Sequence, residues 1–219
     1  NKQTYKNIEV VISDQSTNDD IKNVCEKWKD DLDIKYLYFD GPRRSSANCN
    51  NAMRNATGDI IKPMFLDDFL CNASCIELFV DAFEKYPENN WAAISFGHLI
   101  IGENDDPLNR NGILTNIMTP VYHDEIHRGR NTLGCPSVIA IKNSDEFIFF
   151  DDTLAWLMDT EYYKRLHNNF GSLIVINPGC PSVGIRVHAD SVSTAYNSKD
   201  DEKEKELQYV IEKIEGQEA

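Results

Sequence analysis

The sequence predicts an α/β domain, and three observations carry that expectation. Short apolar runs alternate with amphipathic stretches of helical spacing, as strands and covering helices do. Several of those runs end abruptly in acidic residues, the pattern of strands at the edge of an open α/β sheet where ligands bind. The 219 residues, 41% of them hydrophobic, suffice for one domain with a full core but not for a second complete one. Residues 1–198 read as that domain, and 199–219 as a charged C-terminal helix or tail.

Taken in order, Ile8 to Ser13 (IEVVIS) is a continuous apolar run, the mark of a strand covered on both faces, and it ends at Asp14. Ser16, Thr17 and Asn18 offer caps for a helix reaching Trp28, with Ile21, Val24, Cys25 and Trp28 at helical spacing. Ile34 to Phe39 is a second strand. A loop then leads into a helix with Ser46, Ala47 and Ala52 on one side, closed by Gly58. Ile60 to Leu66 is expected as the third strand, ending in Asp67 and Asp68. Cys75 to Tyr86 is an amphipathic helix stopped by Pro87. Further strands are expected at Trp91 to Phe96, Val138 to Ile141, Leu173 to Ile176 and Val183 to Val187, with a helix from Leu154 to Leu166. Between Gly97 and Arg130 the pattern dissolves into a long polar segment, expected as a lid or binding loop. From Lys199 on, an apolar stripe of Leu207, Val210, Ile211 and Ile214 reads as a surface helix or a frayed end.

A net charge of −14, from 36 acids against 22 bases, argues against nucleic acid or an anionic membrane surface as the main partner and suits a divalent cation. Most of the acids are expected to be solvated surface. The six cysteines lack paired CxxC spacing, which disfavours zinc and suggests buried thiols in a reducing, cytoplasmic compartment. No apolar run approaches the roughly 20 residues of a membrane span, although a peripheral contact at the inner membrane face is compatible.

The segments IEVVISDQSTND, SANCNNAMRNATGDII, FLDD, LGCPSVIAIK, FDDTLAWLMDTEYYKRL and IRVHADSVS, in this order across nearly the whole chain, resemble the family 2 glycosyltransferases. The resemblance implies a GT-A (Rossmann-like) fold with a mixed, mostly parallel sheet flanked by helices. It also implies an inverting transfer of a sugar from a nucleoside-diphosphate sugar, a UDP-sugar first among them. The acceptor would be a glycan or lipid-linked hydroxyl in polysaccharide or glycoconjugate synthesis, and Mn²⁺ or Mg²⁺ would assist.

Carried over residue by residue, Asp14 and Gln15 correspond to the acidic turn that holds base and ribose, with Gln15 where a second acid usually stands. Asp14 can equally begin a turn and cap the next helix. Asp67 and Asp68 match the DXD-type motif, with Phe69 in place of a third acid. Asp68 is assigned to the metal and Asp67 to ribose or a metal-bound water, because a diphosphate will not rest against two carboxylates without a hard cation between them. By itself such a pair is also what an ordinary turn carries. Asp159 corresponds to the base that deprotonates the acceptor hydroxyl, and its aromatic neighbours Trp156, Tyr162 and Tyr163 would raise its pKa; an ion pair with Lys164 or Arg165 on a solvated helix face is the alternative.

His188 corresponds to a metal or diphosphate ligand, or is structural. Arg186 is a phosphate partner or a surface charge. Gly134, in GCPS, shapes the floor of the sugar site or is a plain turn before a strand. Asn50 aligns with the asparagine packed near donor sugar and pyrophosphate; Cys49 replaces the arginine that commonly precedes it, leaving Arg43 and Arg44 as nearby charges.

Family members begin with a strand and helix before the segment matching Gln3 to Asn7. The resemblance therefore predicts a gap at a central strand, and with it a destabilised or weakly nucleotide-binding chain. Two other classes compete. One is a catalytically inactive nucleotide-sugar or glycan-binding module, favoured by the thinned acidic motif. The other is a nucleotidyltransferase, disfavoured because no Gly-rich basic loop stands near the amino terminus.

Overall fold

The computed structural model describes residues 2–100, 116–187 and 192–216. It opens with a βαβ unit: β1 (Glu9–Asp14) pairs in parallel with β2 (Asp33–Tyr38) across α1 (Asp20–Trp28), in the register Glu9↔Asp33 to Asp14↔Tyr38. Along β1 only Asp14 is fully buried. Val24 and Trp28 of α1 stay exposed, so the helix's apolar face is only partly covered. The next helix, α2 (Ser45–Arg54), places Ser46, Ala47, Asn50 and Met53 inward, since small side chains let its backbone approach closely. It ends at Arg54 rather than near Gly58.

The core is built on a second sheet. β3 (Ile60–Ile61), β5 (Trp91–Ile94), β7 (Ile139–Lys142) and β8 (Ile174–Ile176) run in the order β3-β7-β5-β8, antiparallel at β3-β7 and β5-β7 and parallel at β5-β8. Every residue of β5 is fully buried, as are Ile139, Ala140 and Ile141. α3 (Cys75–Lys85) packs Phe79 and Phe83 onto this core; α4 (Met158–Phe170) adds Tyr162, Tyr163 and Leu166. A third, smaller sheet joins β4 (Phe69–Leu70), β9 (Val183–Val187) and β6 (Phe96–Ile100), antiparallel at β4-β9 and parallel at β6-β9. A short helix, α5 (Val192–Ala195), precedes the C-terminal α6 (Asp200–Glu215).

Four expectations need correction. The strand expected from Ile60 to Leu66 keeps only its first two residues in a ladder. Pro63 has no N–H to donate, and beyond it Phe65 N–H is taken by Ser137 Oγ (2.8 Å), so the chain turns rather than extends. The run from Trp91 to Phe96 is two strands in two sheets. Ser95 is the hinge: its N–H donates to Ile176 O while its carbonyl accepts from Ser182 N–H (2.9 Å), and β6 continues into what reads as loop. The fourth helix begins at Met158, not Leu154, because Leu154 and Leu157 are buried from a turn that precedes it. Finally, of the two readings of the C-terminal segment the helix holds and the frayed end does not: much of α6 is exposed, but Val210 and Ile214 of its apolar stripe are fully buried in the core.

Candidate active site

One cleft of about 1160 Å³ runs between the β1 layer and the core. Its lining includes Asp14 and Gln15 from the end of β1, Asp67 and Asp68 from the turn before β4, Gly134 and Cys135, Asp159 of α4, and Arg186 of β9. The fold thus brings together six residues that are scattered in sequence: Asp14, Gln15, Asp67, Asp68, Gly134 and Asp159. His188 lies outside the described residues.

Asp14 is buried at the tip of β1, where Oδ1 accepts Ser16 N–H (2.8 Å) and Oδ2 accepts Tyr36 O–H (2.9 Å). Burial pushes its carboxyl up, but these hydrogen bonds outweigh it and the net pKa lies below the usual carboxylate value. Gln15 donates its amide N–H to the carbonyls of Gly41 (3.1 Å) and Pro42 (3.0 Å), tying the end of β1 to the loop after β2.

Asp67 and Asp68 stand at a turn closed by Asp68 N–H to Phe65 O (3.2 Å). Burial raises the Asp68 carboxyl. Beside it, the Cys135 thiol is itself pushed well up by burial and by Asp68, remains protonated, and donates to Asp68 Oδ2 at 3.1 Å. Arg186 is no surface charge: it is 5% exposed, donates from Nη1 to Asp67 O (2.7 Å), and its guanidinium lies 5.2 Å from the Phe69 ring centroid. Its Nε is buried without a hydrogen-bond partner among the described residues. Phe69, where a third acid was missed, is thus the face on which this cation rests. Lys62 lies behind the pair, with Nζ bonded to the carbonyl oxygens of Ser137 and Pro63, and burial lowers its pKa to about 8.

Asp159, in the lining of the same cleft, is the second residue of α4. Its Oδ1 accepts Thr160 N–H (2.7 Å) and its Oδ2 accepts Asn131 Nδ2–H (2.8 Å). Burial dominates nonetheless and lifts its pKa to about 6. It is not paired with Arg165, which forms a bidentate contact with the fully buried Glu161 instead. Sequence reasoning missed Asn131. This side chain also accepts the N–H groups of Leu133 and Gly134 (3.0 Å each) on Oδ1 and donates to Gly134 O (3.1 Å), so it joins the base candidate to the turn at Gly134. The available signal was an Asn three residues before a Gly, an Asx-type turn. Gly134 has φ +100°, and an added Cβ would come within 2.9 Å of the Phe96 ring, so both backbone and space require glycine there.

Asn50 does not reach the cleft. It is 1% exposed and clamps the backbone of Phe150, donating to its carbonyl and accepting its N–H at 2.9 Å each. Ser46 Oγ likewise donates to Leu154 O (2.8 Å) and Arg44 Nη1 to Thr153 O. The small-residue helix therefore anchors the segment that leads to Asp159.

As to a metal, no group of three His, Cys, Asp or Glu side chains able to hold an ion stands together among the described residues. Asp68 fits a hard cation as a single oxygen ligand: its carboxyl bears a burial penalty that a cation would relieve. No helix among the described residues is long and apolar enough to cross a membrane.

The α/β fold thus gathers several carboxylates in the lining of one cleft. The model described as "Glycosyl transferase family 2" matches residues 1–152, and the chain belongs to that family. The GalNAc(5)-diNAcBac-PP-undecaprenol beta-1,3-glucosyltransferase of Campylobacter jejuni is 34% identical over 89 residues, covering 38% of this chain and 28% of that protein. Among solved structures, S. aureus TarS 1-349 in complex with UDP superposes with a TM-score of 0.64 at 16% identity, over 96% of this chain and 59% of that one. The mannosyltransferase PcManGT of Pyrobaculum calidifontis, in complex with GDP-Man and Mn²⁺, gives 0.53 at 16% identity, over 85% and 50%. The chain spans less than two thirds of each of these proteins.

Proposed function

We propose that the cleft catalyses inverting transfer of a sugar from a nucleoside-diphosphate sugar to an acceptor hydroxyl. The observation that carries this reading is the presence in one cleft of an acid pair, Asp67 and Asp68, and a carboxylate of pKa about 6, Asp159. A base needs to be ionised at working pH yet basic enough to take a proton, and a carboxylate near 6 meets both demands better than one near 4. Asp159 would accept the proton of the acceptor hydroxyl as its oxygen bonds to the anomeric carbon and the bond to the diphosphate breaks. A single displacement of this kind inverts the configuration.

Asp14 and Gln15 would receive the nucleoside, and Arg186, whose Nε has no hydrogen-bond partner among the described residues, offers a fixed positive charge to the diphosphate. Asp68, with Asp67 beside it, would hold Mn²⁺ or Mg²⁺, which when bound supplies further charge against the departing diphosphate. The relatives support this reading, since TarS was solved with UDP and PcManGT with GDP-Man and Mn²⁺. The PP-undecaprenol in the name of the Campylobacter protein supports a glycan or lipid-linked acceptor reached at the inner membrane face.

The test is a titration of UDP and GDP with and without Mn²⁺, followed by an assay of nucleoside diphosphate release over a panel of donors and acceptors. Nucleotide binding should strengthen with Mn²⁺ and lose that gain in Asp68→Asn, and Asp159→Asn should abolish release while binding persists. Binding with no turnover on any acceptor would favour the inactive nucleotide-sugar or glycan-binding module instead.

A further inference from the structure

α6 lies beyond residues 1–152, yet it reaches the backbone that carries Asp159. Glu206 Oε1 accepts Ala155 N–H at 3.0 Å, and Oε2 accepts both Trp156 N–H and Leu157 N–H at 2.9 Å. These three residues immediately precede α4, whose N-cap, Leu157, provides no side-chain cap. The leading amides of a helix lack intrahelical acceptors, and a carboxylate at that end is favoured by the helix dipole. Of the three amides, only that of the N-cap Leu157 belongs to the helix's own leading set; Ala155 and Trp156 lie in the turn before it, so Glu206, about 50 residues away, ties down the turn that leads into α4.

The same turn forms part of the cleft wall through Ala155 and Trp156. The Trp156 ring is stacked on Tyr196 (6.4 Å between centroids), with Lys203 Nζ 5.6 Å from its centre. Further along α6, Lys213 Nζ bridges Asp151 (2.6 Å) and Glu161 (2.7 Å) on the other side of the turn. The turn is thus pinned on both flanks by one helix.

We propose that Glu206 is a positioning residue: by holding the amides of residues 155–157 it sets the start of α4, and so aims Asp159 and the Trp156 wall into the cleft. The proposal rests on the reading of Asp159 as base. Glu206→Ala and Glu206→Gln should be compared in the full chain with Lys205→Ala, an exposed change on the same helix. Three readouts decide: hydrogen exchange at 155–157, the split between kcat and donor KM below the melting temperature, and Tm.

In Glu206→Ala the three amides should exchange faster and kcat should fall roughly 10- to 100-fold at unchanged donor KM, as small misplacements of a reacting group do. Glu206→Gln keeps one acceptor oxygen and should recover part of that loss, and Lys205→Ala should match the wild type. If Glu206→Ala fails to fold, Glu206→Gln against wild type makes the same comparison. Wild-type kcat in a folded Glu206 variant, or unchanged exchange at 155–157, would overturn the proposal. A wild-type chain that binds nucleotide but never turns over would defeat the transferase reading instead, while exchange would still decide whether Glu206 holds the turn.

Discussion

Asp14 and Asp159 look into the same cleft from opposite walls, each accepts two hydrogen bonds at 2.7–2.9 Å, and their pKa values move in opposite directions. Hydrogen bonding therefore does not distinguish them; the depth of protein around them does. Asp14 belongs to a two-stranded layer whose other β1 residues are only half-buried. Asp159 opens toward the cleft but starts a helix in which seven residues are buried. Burial penalises the ionised form at both, but at Asp14 the hydrogen bonds together outweigh it and at Asp159 they do not. One wall is built to hold a permanent anion, the other a carboxylate that can change its proton.

The change with the largest expected effect is Asp159→Asn. A general base contributes on the order of 10²–10⁴ in rate, so transfer should fall by that much. The same substitution should stabilise the protein at neutral pH. A carboxyl whose folded pKa (about 6) exceeds its unfolded value of 3.8 loses stability as pH rises through that window, and the amide escapes this loss. The gain should be about 1 kcal/mol after allowance for the open cleft, visible as a higher Tm at pH 8 and not at pH 3.5. An unchanged Tm difference between those pH values would mean that Asp159 is not raised, and the contrast between the two walls would collapse.

Asn131→Ala should have a smaller effect. It removes a hydrogen bond that favours the ionised Asp159, so the acid limb of the pH–rate profile should move to higher pH, with a loss of roughly tenfold in kcat near pH 6. A profile that keeps its midpoint would show that Asn131 only shapes the Gly134 turn. The smallest change is Tyr36→Phe at the opposite wall, where loss of one hydrogen bond to a carboxylate should slightly lower Tm above pH 4. Because the Asp14 pKa is depressed, its contribution is present above 3.8 and fades as pH falls through the lower folded value, so the mutant and wild-type melting curves should converge in acid.

Much of the scaffold was legible. β1, β2, α1 and α3 lie within a residue or two of their expected positions, and β9 matches the expected Val183 to Val187, because apolar periodicity is a local property. The N-cap of α1, however, is Asp19, with no side-chain cap, rather than Ser16, Thr17 or Asn18. The errors have a common origin in contacts made elsewhere. Ser137, 72 residues from Phe65, helps turn the chain after β3; Glu206 occupies the amides that delay α4; and burial of Val210 and Ile214 converts an apparent tail into part of the core.

By itself, the sequence determined the order of strands and helices and the placement of Asp14, Asp67, Asp68 and Asp159 beside apolar runs, since spacing and residue type are properties of the chain alone. Only the tertiary structure decided that Asn50 clamps Phe150 rather than facing the cleft, that Arg186 is buried against Phe69, and that Asn131 and Glu206 hold Asp159 and the turn before it. It also decided the opposite titration of Asp14 and Asp159. Desolvation sums over everything nearby in space, and that neighbourhood exists only once the chain has folded.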